Sequence, residues 1–253
     1  MNQSKDKEYL LSIFLYANDE EESLYATIRE IVEKLNVNYE LIVYMKNESC
    51  KSFEALKKIM AAYPQWHVTY RFQVEPYIVA TLYEVAKIAN GTHILVWTAD
   101  NEISVNSMVE MAKISTVHPQ AIVCASKFHK DSFLNGYSAA KKAIRKFLDY
   151  TINILYRRSG TDFYSIYKIL PLDYFENMYF SSAHTLLYEY TLVALKLGKE
   201  YYDVPVVFQK RTEGQSSFHL LFNLRIGFSF LGSILRVFLT PKRVLRTKRK
   251  LTL

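Results

Sequence analysis

The chain has 253 residues, of which 50% are hydrophobic and 23% charged, a balance that suits one well-buried core and excludes an intrinsically disordered polymer. Its formal charge of +7 is concentrated at the end of the chain, so a broad basic face of the kind that grips nucleic acid is not expected. Two cysteines, Cys50 and Cys124, and six scattered histidines give neither a disulfide framework nor zinc-type spacing.

In chain order, Met1 to Glu8 is polar and charged where a secretory signal would need an apolar stretch, which with the sparse cysteines points to a reducing, cytoplasmic setting. Leu11 to Tyr16 reads as a strand, followed by an acidic cluster from Asp19 to Glu22. Leu24, Ile28, Ile31, Val32 and Leu35 then recur at helical spacing, with acids in the first turn where the helix dipole favours them. Leu41 to Tyr44 is a second apolar strand, and Phe53, Leu56, Met60 and Tyr63 stripe a helix that Pro64 ends. Val68, Tyr70 and Phe72 alternate with polar residues as in a half-buried strand. A third helix carries Leu82, Val85 and Ala89, and Gly91 stands where a left-handed cap would close it. Ile94 to Trp97 and Ala121 to Ala125 read as strands on either side of a helix through Met108, Met111 and Ile114.

This rhythm predicts an α/β fold with a mainly parallel sheet and helices on both faces. Ligands of such sheets bind beyond the carboxyl ends of the strands, here the stretches after Tyr16, Tyr44 and Trp97. Further on, a helix is expected from about Tyr137 to Arg157, another from Thr185 to Leu197, and a strand from Asp203 to Gln209. Phe218 to Leu239 is strongly apolar but interrupted by His219, Asn223, Arg225 and Arg236, and its clean run, Ile226 to Leu235, falls far short of the ~20 residues of a spanning helix. Lys242, Arg243, Arg246, Lys248, Arg249 and Lys250 follow without an acid. Residues 1–217 are therefore read as one domain and residues 218–253 as interfacial helices with a basic tail that seeks an anionic membrane surface. A pair of buried helices packed on the domain is the competing reading. Nucleic acid is not expected as a partner, because the terminal basic run has no interleaved aromatics.

The succession of motifs resembles the family 2 glycosyltransferases of the GT-A fold, near their dolichol- or polyprenyl-phosphate mannose and glucose synthase branch. Leu11 to Leu24 is similar to the opening strand and acidic turn, and Tyr39 to Tyr44 to the second strand. Ala89 to Asp100 resembles the helix end and strand that deliver the Asp-x-Asp motif. Val204-Pro205, Arg211, Gly214 and Ser216 resemble the branch's Glu-Val-Pro strand and Arg-x-x-Gly-Glu-Ser-Lys segment, and Glu189 has the spacing of its acidic helix residue. The resemblance implies transfer of a sugar from a nucleoside diphosphate to a polyprenyl phosphate or glycan, on the inner face of the membrane. It implies a magnesium or manganese ion at Asp100 and Glu102. Asp100, Glu189 and Arg211 would be catalytic, and Glu20, Arg211, Gly214 and Ser216 would bind the donor.

Several positions depart from the pattern. The Asp-Asp-Gly-Ser stretch is replaced by Met45-Lys-Asn-Glu48, the first acid of Asp-x-Asp by Thr98, and the glycine-rich segment by Tyr77-Ile-Val-Ala80. The acceptor-side stretch reads Ser159-Gly-Thr-Asp-Phe-Tyr-Ser165 without the usual Gly-Phe pair and arginine. Asp100 and Glu102 also admit a reading as turn and cap residues, Glu20 as a helix-dipole residue, and Asp162 as a loop acid. The same losses leave open a catalytically inactive accessory or scaffold subunit.

Overall fold

The computed structural model describes residues 8–74, 78–177, 186–209 and 220–246. The first half alternates strand and helix: β1 (Leu11–Tyr16), α1 (Glu22–Lys34), β2 (Tyr39–Met45), α2 (Lys51–Ala62), β3 (Thr69–Phe72), α3 (Ile78–Ile88), β4 (His93–Thr98), α4 (Val105–Val117) and β5 (Ile122–Ser126). A short strand β6 (Phe133–Leu134) and the long α5 (Ala139–Tyr156) come next, then β7 (Lys168–Pro171), α6 (Asp173–Asn177) and α7 (Leu186–Leu197). The chain ends in β8 (Tyr201–Pro205), β9 (Val207–Phe208), α8 (Leu220–Leu239) and α9 (Lys242–Leu245).

Seven strands form one sheet in the order β3-β2-β1-β4-β7-β5-β8. β1 pairs in parallel with both β2 and β4, so Tyr16, Tyr44 and Thr98 lie abreast at one edge. Only β7 runs against its neighbours. The mainly parallel sheet expected from the strand-helix rhythm is thus present, with one reversed strand that the sequence pattern hid. β7 is four buried residues beginning at Lys168, and a lysine with a closing proline is a poor strand signature.

Both faces of the sheet are covered. One apolar cluster joins Leu11, Ile13 and Leu15 of β1 to Leu24 and Ile28 of α1, Leu56 of α2 and Met108 of α4. The other gathers Phe14, Val85 of α3, Ile152 of α5, Leu192 of α7 and Ile234 of α8. The alternation of β1 side chains between the clusters is the period-2 geometry of a strand buried on both sides.

Two sequence expectations change in detail. Gly91 does not take the left-handed conformation; it is needed for space, because a Cβ there would lie 2.5 Å from the Leu10 carbonyl oxygen and 2.5 Å from Ser12 Oγ. The strand expected from Asp203 to Gln209 is divided, with β8 closing the main sheet and β9 pairing with β6. Proline at position 205 has no N–H to continue a ladder, which suits a strand end.

The apolar C-terminal stretch forms α8, which packs on α7 and α5 and buries Phe230, Ile234 and Val237 while leaving Leu235 and Leu239 outside. Lys196 Nζ donates to the carbonyl oxygens of Val237 (2.9 Å) and Thr240 (2.5 Å), satisfying groups that a helix end leaves open. Among the described residues, no helix is long and apolar enough to cross a membrane.

Candidate functional site

The sheet order reverses between β1 and β4, and the crevice beyond such a reversal is where an open α/β sheet takes ligands. The loop after β1 is stitched to its neighbours. Asn18 Oδ1 accepts the Lys46 N–H at 2.9 Å, the Asn18 carbonyl accepts the Ser52 N–H at 3.0 Å, and Ser52 Oγ donates to the Glu20 carbonyl at 2.7 Å. The Glu20 carboxylate accepts the N–H groups of Asn18 (2.6 Å) and Asp19 (3.0 Å). It stands at the expected edge, where it shapes its own loop. Beside it, the Tyr16 hydroxyl donates to Gln73 at 2.8 Å, and the Tyr44 hydroxyl donates to Glu84. Burial, and then the Glu84 carboxylate, push the Tyr44 phenol well above its ordinary range.

After β4 the chain turns sharply. Asn101 takes a left-handed φ of 54° and its side-chain oxygen accepts the Thr27 hydroxyl of α1 at 2.9 Å. Asp100 is buried at 4% exposure. Its Oδ1 accepts the Thr98 hydroxyl at 2.7 Å and the Glu102 N–H at 3.2 Å. The Thr98 hydroxyl also lies 2.7 Å from that of Tyr167. Because Thr98 gives its one proton to Asp100, Tyr167 must donate to Thr98. A relay therefore runs Tyr167 to Thr98 to Asp100, and Thr98, where the motif would have an acid, holds the acid that remains.

The same turn is tied to the C-terminal part of the chain. Ile103 forms an antiparallel bridge with Phe208, and the Gln209 N–H donates to the Glu102 carbonyl at 2.9 Å. Arg211, Gly214 and Ser216 follow within the next few positions and lie outside the described residues. Lys127, directly after β5, places its ammonium 5.2 Å from the ring centre of Tyr167 and 5.0 Å from that of Phe208. Sequence reading passed over both Tyr167 and Lys127. Their signals were slight: a lysine one residue beyond a buried strand, and a tyrosine one residue before the reversed strand begins.

Glu189 sits in the first turn of α7, 1% exposed, and its carboxylate pairs with Arg236 of α8. Arg236 also donates to Ser233 Oγ at 3.1 Å. The pair binds α8 to α7.

The 157–167 loop, which contains the 159–165 stretch read as the acceptor side, is held by a separate set of acids. Asp149 of α5 accepts the N–H groups of Asp162 (3.0 Å) and Phe163 (3.1 Å). Asp203 Oδ2 accepts the Thr161 N–H at 2.9 Å, and Asp162 Oδ2 accepts that of Lys127 at 3.0 Å. Lys168 Nζ, fully buried, donates to the carbonyls of Phe163 (2.7 Å) and Ser165 (2.8 Å). Burial, reinforced by the charge of Asp162, pushes the Asp149 carboxyl up to about 7; burial does the same to Asp203. Burial pushes the Lys168 ammonium down and the Cys124 thiol up. Asp162 serves here as a loop acid, and Lys168 is the cation that closes the loop.

Among the described residues no group of three or more His, Cys, Asp or Glu side chains is gathered for a metal ion. Asp100 and Glu102 nonetheless present the hard carboxylate chemistry that suits magnesium or manganese, ions commonly held by one or two carboxylates together with substrate phosphates. In donor chemistry, the residues fit.

The seven-stranded mainly parallel sheet with helices on both faces, and an acid turn after the central β4, is the Rossmann-like GT-A glycosyltransferase fold. No family model and no curated protein matches the sequence. Among solved structures, glucosyl-3-phosphoglycerate synthase from Mycobacterium tuberculosis in complex with uridine diphosphate is similar over 92% of this chain and 81% of that one, at 11% identity and a TM-score of 0.64. The same enzyme with Mn2+, uridine diphosphate and phosphoglyceric acid gives 13% identity and a TM-score of 0.64, covering 92% of this chain and 80% of that one. A mycobacterial protein matches at 12% identity and a TM-score of 0.62, over 92% of this chain and 76% of its own. Identities this low establish a shared fold.

Proposed function

We propose that this chain is a glycosyltransferase that takes a sugar from a nucleoside diphosphate and passes it to a lipid phosphate or growing glycan at a membrane surface. The observation that carries the reading is the Asp100–Glu102 turn at the carboxyl end of β4, with Asp100 fixed by the Tyr167–Thr98 relay. Several of the similar solved structures hold uridine diphosphate with Mn2+ or Mg2+, and two hold UDP-glucose with Mn2+, which favours a nucleotide sugar as donor. Asp100 and Glu102 would hold the divalent cation, which when bound neutralises charge on the departing diphosphate.

The chain's own residues do the remainder. Lys127, kept against Tyr167 and Phe208, presents a positive charge at the same edge to phosphate oxygens. Arg211 is assigned to clamp a phosphate oxygen and Gly214, with Ser216, to let the backbone approach it. Glu20 shapes the loop on the nucleoside side. Glu189 is assigned as the acidic helix residue, held in place by Arg236. Residues 218–253 attach the enzyme peripherally to the inner face of the membrane, and the polyprenyl-phosphate acceptor belongs to this reading.

A second reading is a catalytically inactive accessory subunit on the same fold. It is favoured by Thr98, a neutral hydroxyl at an acid's place, and by Glu189, whose carboxylate is paired with Arg236. Calorimetric titration with UDP-, GDP- and CDP-sugars in the presence of manganese separates the two. Wild type is expected to bind one of them, Asp100→Asn to weaken that binding roughly 100-fold, and Glu102→Gln to weaken it less. Absence of binding by wild type across the panel would leave only the accessory subunit.

A further inference from the structure

α5 is apolar on two sides. Leu148 and Ile152 face the core, as a surface helix requires. Yet Ile144, Phe147, Tyr150 and Ile154 are 55%, 61%, 64% and 57% exposed. At 100° per residue these four cover an arc of about 120° turned away from the core, where a helix facing water would carry charge. The only acid of the helix, Asp149, is buried in the loop cluster described above. The exposed charges are all positive: Lys142 and Lys146 along the border of the apolar arc, and Arg157 at its end.

The C-terminal helix α8 packs against the opposite, core-facing side of α5. The Tyr156 hydroxyl donates to the Ile234 carbonyl at 2.9 Å, and its ring meets that of Phe238 at 5.9 Å. Beyond that seam Leu235 and Leu239 are 53% and 74% exposed, followed by exposed Lys242, Arg243 and Arg246, again with no acid between 235 and 246. Exposed apolar side chains grouped along one helix arc mark an interaction surface. Its cationic border selects the partner, since apolar side chains framed by lysine and arginine match the acyl boundary and anionic headgroups of a bilayer.

We propose that the outer face of α5, with the end of α8, is a membrane-docking surface that lays the protein on an anionic bilayer. It rests on the membrane reading of the proposed function and moves the main contact from the C-terminal segment to the body of the domain. It also bears on the acceptor. α5 starts two residues after Tyr137, whose ring meets Phe208 at 5.5 Å, and Phe208 is bridged to Ile103 beside Glu102. The docked helix therefore begins next to the acid turn, as a lipid-borne acceptor requires.

Co-sedimentation of the full chain with vesicles tests the surface, using phosphatidylcholine alone and phosphatidylcholine mixed with phosphatidylglycerol. Wild type is expected to pellet with the anionic vesicles, and the double variant Phe147→Glu, Ile154→Glu to lose binding by roughly tenfold or more with its melting curve unchanged, because both positions are exposed. Pelleting of that variant equal to wild type would overturn the α5 surface while leaving attachment through the C-terminal tail. Failure of wild type to pellet would overturn both. A concentration-dependent dimer in sedimentation velocity that the same two substitutions abolish, without vesicle binding by wild type, would assign the face to a second copy of the chain. None of these readouts depends on nucleotide-sugar binding, so the docking surface and the transferase reading fail separately.

Discussion

The acids after β4 and the acids around the 157–167 loop are built in opposite ways. Asp149 commits both carboxylate oxygens to main-chain N–H groups of the loop that follows its helix, and Asp203 and Asp162 each give an oxygen to another backbone amide. Such acids act as architecture: they replace the hydrogen bonds that an irregular buried segment cannot make within itself. At Asp100 both bonds from its own turn converge on a single oxygen, and one of them comes through a side-chain relay from Tyr167. That acid holds its own turn through one amide and is in addition aimed by a side-chain relay. A cluster of aspartates in the sequence is therefore a poor guide to chemistry until the partner of each oxygen is known.

The sharpest test of the difference is pH. The carboxyls of Asp149 and Asp203 are raised from the ordinary value of 3.8 to about 7, so the folded state retains protons that the unfolded chain has released. Stability from these groups is complete below about pH 4 and is lost as pH rises through about 7. Unfolding free energies from denaturant titration should fall between those limits, by on the order of several kcal/mol for the pair. Asp203→Asn should flatten the curve and gain stability at pH 8, since Asp203 Oδ1 has no hydrogen-bond partner among the described residues. A wild-type curve that rises from pH 5 to 8 would contradict the burial argument.

Asp149→Ala should cost about 3 kcal/mol, because the N–H groups of Asp162 and Phe163 are then left buried without acceptors. Urea unfolding measures it, and a loss below about 1 kcal/mol would mean that the loop has other support. The contrast with the acid turn is that Asp100→Asn should act on nucleotide affinity and scarcely on stability.

Most of the fold was legible in the sequence because the central parallel strands β1, β2, β4 and β5 are apolar runs that alternate with helical patterns. β1 is the clearest case, with Leu11 to Tyr16 expected and found. β7 was not legible, since its first residue is a lysine whose ammonium is satisfied by the carbonyls of Phe163 and Ser165, contacts that no local pattern announces. The position of Asp100 and Glu102 in the turn after β4 was legible. The relay was hidden, because Tyr167 and Thr98 are 69 residues apart and meet only through the sheet. Glu189 was legible as a helix acid, but its partner Arg236 lies 47 residues further on, where it reads only as an interruption of an apolar segment.

The relay itself supplies the smallest and most specific test. Tyr167→Phe removes one hydroxyl and retains the ring, so the contacts with Trp97 (4.9 Å between ring centres) and with Lys127 survive. Thr98 keeps its proton on Asp100 but loses the donor that fixes its rotamer. The expected loss in manganese-dependent nucleotide affinity is several-fold, or about 1 kcal/mol, the usual net value of one hydrogen bond. Thr98→Val removes the hydroxyl that reaches Asp100 and should cost more, whereas Thr98→Ser should restore most of the affinity. If the relay aims Asp100, Tyr167→Phe and Thr98→Val must be non-additive, because the tyrosine has nothing left to hold once the threonine hydroxyl is gone. Calorimetry on the two single variants and the double gives that coupling directly. Full additivity would mean that Tyr167 acts on the site only through its ring, by carrying Lys127.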